Sequence, residues 1–129
     1  MKQETLFFHH KFEKGNKTVL EISFENRNLR ELCEKKNRAK VQLGEVIASK
    51  LKNLLADLDA FNNVNELLTL RIHNTEVSSG NLLIIDLAKN LKVIISANHL
   101  ETPLLENKTV DWLKVTRIKI LNVERTDNE

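Results

Sequence analysis

The order of apolar patterns along the chain predicts an α+β domain, with helices on one face of a mostly antiparallel sheet. Three observations carry this. Val19, Leu20, Ile22 and Phe24 read as an opening strand. Leu43, Ile47, Leu51, Leu54 and Leu58 then recur at steps of three and four, which puts them on one stripe of a helix. The second half is a series of short apolar runs separated by turn residues. It ends in Arg117-Ile118-Lys119-Ile120, whose period of two places cations on one side of a strand and core residues on the other.

Element by element, Asn26 and Asn28 are N-cap candidates for a short helix ending near Lys36, because an Asn oxygen can accept from the free N–H groups of the first turn. The spacing predicts a long helix over 38–59, its apolar stripe widened by Val46 and Leu55 and its wet side covered by Lys40, Glu45, Lys50 and Asp57. Asn62-Asn63 breaks it, and Val64 to Leu68 adds a further turn. A weak strand is expected over 70–77, a hairpin turn at Ser78-Ser79-Gly80-Asn81, and a buried strand over 82–87. Lys89-Asn90 turns into a strand over 91–97. A loop over 98–108 holds the single proline, Pro103, and the last strand spans 116–124. Residues 1–18 are polar, mixed in charge and end at Gly15-Asn16. They are expected to stand apart from the domain formed by residues 19–129 as an N-terminal extension.

With 129 residues the chain is large enough for one core. No apolar run approaches the roughly 20 residues of a membrane helix, and Leu6-Phe7-Phe8 is cut off at once by His9, His10 and Lys11, which leaves no signal-peptide core. The single cysteine, Cys33, has no partner for an internal disulfide, which fits a reducing cytoplasm. It lies on a helical pattern where a small half-apolar side chain is ordinary, so it is not expected to be a nucleophile. The adjacent pair His9-His10 lacks the spacing of metal ligands on a regular element, and neither metal nor cofactor is expected. The net charge of +2 is too small to argue nucleic acid by itself. Its distribution says more: Arg27, Arg30, Lys35, Lys36, Arg38 and Lys40 are answered locally only by Glu31 and Glu34, which makes either a solvated helix face or a contact surface for phosphate or an acidic partner.

Several phrases in this order resemble the RelE/ParE superfamily of bacterial toxins, and among them the HigB-type killer proteins of type II toxin–antitoxin pairs. These are Leu20-Glu21-Ile22-Ser23-Phe24 as the opening strand, Asn28-Leu29-Arg30-Glu31-Leu32-Cys33-Glu34, and the helix end Leu54-Leu55-Ala56-Asp57-Leu58-Asp59-Ala60. The fourth is the acidic-Trp turn and strand Asp111-Trp112-Leu113-Lys114-Val115-Thr116-Arg117-Ile118-Lys119-Ile120-Leu121. The resemblance covers about residues 19–124. Because the family's opening strand begins at the initiator methionine, it also implies translation starting near Val19 or Leu20, which mass spectrometry of the native N-terminus would test.

The resemblance implies a RelE-like fold and a ribosome-dependent endoribonuclease that cuts mRNA without a metal. Such chemistry needs a base for the 2′-hydroxyl, cations for the developing phosphorane charge, and an acid for the leaving oxygen. On the matching positions, His73 would move a proton, and Lys92, standing where the family has an arginine, would neutralise charge. Arg125, at the start of the segment matching the family's Asp-Tyr-His ending, would do the same. Arg30, Lys35, Lys36, Arg38, Lys40 and Lys89 would contact RNA. The chain departs from the pattern in two ways. Serines and an asparagine replace the basic turn after His73, and there is no tyrosine at all. His99, in the loop beside Asn98, is expected to be structural or exposed.

The implied partners are a helix-turn-helix antitoxin of the HigA type, the ribosome and mRNA, with no membrane. The alternative is a toxin-fold protein that no longer cuts RNA and acts with its antitoxin as a co-repressor. A ParE-like gyrase inhibitor fits less well, because the long helix and the Asp-Trp turn match the HigB-like branch.

Overall fold

A computed structural model describes residues 20–70, 73–78, 81–88 and 91–125, with the backbone alone at Lys36 and Leu70. The N-terminal extension and Val19 lie outside these residues, as does Lys89. The chain is α+β. It runs β1 (Glu21–Phe24), α1 (Arg27–Glu34), α2 (Lys36–Leu43), α3 (Glu45–Ala60), α4 (Val64–Leu70), β2 (Asn74–Val77), β3 (Leu83–Ala88) and β4 (Leu91–Ala97). A 3-10 turn (Trp112–Lys114) and β5 (Arg117–Arg125) complete it. The five strands form one sheet in the order β1-β5-β4-β3-β2. β2, β3, β4 and β5 pair antiparallel in sequence, while β1 lies parallel to β5, with Ile22 opposite Ile118 and Phe24 opposite Ile120.

Alternation decides which face is buried. Leu83, Ile85 and Leu87 of β3, Leu91, Val93 and Ile95 of β4, and Ile118 and Ile120 of β5 point to the helices and are buried. Leu51, Leu54, Leu55 and Leu58 of α3 join them in one core with Ile22 and Phe24 of β1. Leu20 anchors the start of this unit, its N–H donating to the Phe61 carbonyl at 3.0 Å. The other face of the sheet meets solvent and is laced by ion pairs: Arg117 with Glu21 at 3.1 Å, Lys119 with Glu25 at 3.6 Å, and Lys92 with Asp86 at 2.7 Å.

The helical half differs from the sequence expectation. The single helix over 38–59 is two helices, and the further turn expected over Val64 to Leu68 is a helix of its own, α4. Gly44 makes the break, with φ 91° and ψ 159°, a conformation in which a side chain collides with its own backbone. The apolar stripe crosses that break in sequence but not in space. Leu51, Leu54, Leu55 and Leu58 are buried, Leu43 and Ile47 only partly, and Val46 faces solvent at 70% exposure instead of widening the stripe. Of the two capping candidates, Asn26 is the cap, its Oδ1 accepting from the Leu29 N–H at 2.8 Å. The weak strand expected over 70–77 is shorter, since α4 reaches Leu70 and β2 begins at Asn74.

A β-carbon added at Gly44 would meet nothing within 4 Å, so only the backbone opposes one. Gly44→Ala is therefore expected to cost about 1–3 kcal/mol through strain alone, read as a lowered midpoint in urea unfolding.

Candidate functional site

His73 lies just before β2, on the helix side of the sheet, where its Nε2 meets Asp57 Oδ2 of α3 at 2.7 Å. The imidazole is only 14% exposed and Asp57 is 38% exposed. A half-buried carboxylate on one ring nitrogen fixes the ring's orientation and, when that nitrogen carries the proton, leaves Nδ1 as the acceptor. This is the arrangement a general base needs from a second group. It equally ties the end of α3 to the first residues of β2.

Lys92 is on the opposite, open face. Its ammonium donates to Asp86 Oδ1 at 2.7 Å, and this hydrogen bond, followed by the charge of Asp86, raises the lysine pKa. Asp86 also accepts from Asn74 at 3.4 Å, and Lys92 stands opposite Glu124 in the strand register. Arg125 stands opposite buried Leu91, hence on the helix side at the end of β5. β2 and β5 are separated by β3 and β4, so His73 and Arg125 are about 14 Å apart by strand spacing. The structure does not bring His73, Lys92 and Arg125 together around one phosphate.

The cationic candidates divide by partner. Arg30 pairs with Glu34 at 3.3 Å and Arg38 with Glu31 at 2.8 Å, so the two local acids answer two of the arginines. Lys35, in the joint between α1 and α2, and Lys40, in the last turn of α2, are exposed. Exposed ion pairs are weak, so Arg30 and Arg38 can exchange a carboxylate for a phosphate at small cost. The partners Asp57 and Asp86 were missed in sequence reading because a contact 16 residues away and a cross-strand contact leave no local signal.

Between α1, α2 and α3 lies a cavity of about 530 Å³, lined in part by Cys33, Ala39, Leu51 and Leu55. Burial, with a smaller contribution from Glu34, pushes the Cys33 thiol up to about 12, so it stays protonated and unreactive at neutral pH. Among the described residues no three His, Cys, Asp or Glu side chains gather to hold a metal ion, and no helix is long and apolar enough to cross a membrane.

His99 is structural. Its Nε2 accepts from the backbone N–H of Thr116 at 3.1 Å and of Arg117 at 3.3 Å, and so holds the entry to β5. Beside it, Asn98 donates to Ser23 Oγ at 3.0 Å, joining the same loop to β1. Burial and the Arg117 charge lower the His99 pKa from its ordinary 6.5, against a smaller opposing effect of Glu21. The unfolded chain therefore takes up this proton before the folded one. The contribution of His99 to stability is complete above pH 6.5 and is lost as pH falls through its depressed folded value. His99→Gln, which keeps an acceptor but cannot titrate, is expected to flatten this part of the stability–pH profile in urea unfolding.

Comparisons of the chain with protein-family models, with characterised proteins and with solved structures find no match in any of the three.

Proposed function

We propose that the chain is the toxin-fold component of a type II toxin–antitoxin pair, a HigB-like ribosome-dependent mRNA endonuclease acting in the cytoplasm with a helix-turn-helix antitoxin encoded beside it. The observation that supports this reading is the order of elements. An opening strand, a helical layer and an antiparallel meander close on a strand that returns parallel to the first, and an acidic-Trp turn sits directly before that closing strand. RNA would approach the α1–α2 side, where Lys35 and Lys40 are exposed and Arg30 and Arg38 lie in weak pairs.

A specific observation favours a second reading, in which the protein binds its antitoxin and represses the operon without cutting RNA. His73 is engaged with Asp57 on one side of the sheet and Lys92 with Asp86 on the other. A metal-independent cut needs proton transfer and charge neutralisation at one phosphate. Induced expression in a bacterial host, with and without the neighbouring gene, separates the readings. Growth arrest with fragmented transcripts, relieved by the neighbour, supports the nuclease. Unaffected growth, together with a stable complex between the two proteins that binds the upstream operator, supports the co-repressor. Unaffected growth without such a complex overturns both.

A further inference from the structure

Where the start of α1 meets α2 and β5, a second cavity of about 400 Å³ opens to solvent, within the range of small-molecule sites. Its lining includes three carboxamide residues of the helical layer, Asn26, Asn28 and Gln42, together with Arg38 and the β5 segment around Asn122. Leu29, Leu32 and Val123 supply apolar lining, and none of the lining residues is a carboxylate. The Asn26 oxygen is spent on capping α1, whereas Asn28, Gln42 and Asn122 make no side-chain hydrogen bond among the described residues. A bulge in β5 shapes this edge, and it leaves Val123, opposite buried Val93, on the helix side and turns Asn122, opposite Ile94, to the open face. The register with β4 steps from Ile94 opposite Asn122 to Ile95 opposite Ile120, leaving Leu121 unpaired, and bulges of this kind re-aim the side chains beside them.

We infer that this cleft binds a single unstacked nucleobase carrying a phosphate. A carboxamide offers a donor and an acceptor side by side, the pattern that matches the edge of a base, and several of them read a splayed base without requiring charge. The apolar residues suit the ring's faces. Arg38, itself 43% exposed and held by the half-buried Glu31 at 2.8 Å, is placed to exchange that carboxylate for a phosphate with the same fork geometry. Assigning the base to an RNA strand instead of a free nucleotide rests on the toxin reading, whereas the base-binding chemistry does not.

The test is a titration of the full chain, alone, with each of the four ribonucleoside 5′-monophosphates, with ribose 5-phosphate, and with a short single-stranded oligoribonucleotide, followed by amide chemical shifts. At least one nucleotide is expected to bind saturably with Kd of about 1 mM or tighter, and ribose 5-phosphate about tenfold more weakly or worse. The combined variant Asn28→Ala/Gln42→Ala is expected to lose about tenfold in nucleotide affinity with its far-UV dichroism unchanged, and Arg38→Gln to reduce the advantage of a nucleotide over its nucleoside. Oligonucleotide binding about tenfold tighter than that of the mononucleotide would assign the cleft to RNA, and equal affinities would assign it to free nucleotides. Three results would each overturn the inference: no saturation by about 10 mM of any nucleotide, ribose 5-phosphate binding as well as the nucleotides, or affinity untouched in the folded double variant. No ribosome or antitoxin takes part, so failure of the toxin reading in cells leaves this result standing.

Discussion

Trp112→Ala is expected to lower the unfolding free energy by about 3–5 kcal/mol, the range for truncating a large buried aromatic. Trp112 is 8% exposed and belongs to the core cluster with Val110 and Val115. Its 3-10 turn is capped by Asp111, which accepts from the Leu113 N–H at 3.3 Å, and it packs against α4. The next residue to be pinned is Val115, whose carbonyl accepts from the Val64 N–H at 3.2 Å and so fastens the start of α4 to the chain entering β5. Emptying the indole's place loosens both. Trp112→Phe separates packing from polarity. The indole Nε1 is buried without a hydrogen-bond acceptor among the described residues, and a buried donor left unmade is itself a cost. The phenylalanine variant should therefore lose much less, on the order of 1 kcal/mol. Because Trp112 is the only tryptophan, far-UV dichroism in urea is the appropriate probe. A loss below about 1 kcal/mol for the alanine variant would mean that the residue is not a core anchor.

The legible parts of this fold are those where one short period dominates. Ile118 and Ile120 alternate with Arg117 and Lys119, so the buried face of β5 could be read directly. The unbroken apolar runs Leu82 to Ile85 and Val93 to Ile95 marked β3 and β4 as strands without showing that Ile84 and Ile94 turn away from the core. The helical layer was only half legible. The steps from Leu43 to Ile47 and Leu51 keep the helical period across a residue whose backbone leaves the helix. Periodicity sees side chains, and Gly44 contributes none. The parallel pairing of β1 with β5 spans nearly the whole chain and left no mark in either segment. At the candidate site the residue types were visible but their partners were not. Glu31 and Glu34 are near enough in sequence to Arg38 and Arg30 to be anticipated. Asp57 and Asp86 become partners of His73 and Lys92 only once α3 lies on the sheet and β3 pairs with β4. The carboxamide cleft was invisible for the same reason, because its rim draws on the start of α1, on α2 and on a bulge in β5.

On the proposed nuclease reading, His73→Ala lowers the rate of ribosome-dependent cleavage at least tenfold, about 1.4 kcal/mol of barrier. Asp57→Asn should reproduce most of that loss. It keeps the size of the side chain 2.7 Å from Nε2 but replaces an acceptor-only carboxylate with an amide that can present either a donor or an acceptor, so the ring's orientation and tautomer are no longer fixed. Asp57 then acts only through His73, so the double variant Asp57→Asn/His73→Ala should be no slower than His73→Ala alone. Two groups acting on the reaction separately would instead multiply their losses. Lys92→Ala tests the other face of the sheet. Lys92 is bonded to Asp86 on the other face of the sheet, away from the His73–Asp57 pair, so its loss, if it touches phosphate, combines with theirs multiplicatively. Cleavage unchanged in His73→Ala removes the imidazole from the chemistry. The Asp57–His73 contact would then be a tie between α3 and β2 whose removal shows only in unfolding, as the co-repressor reading requires.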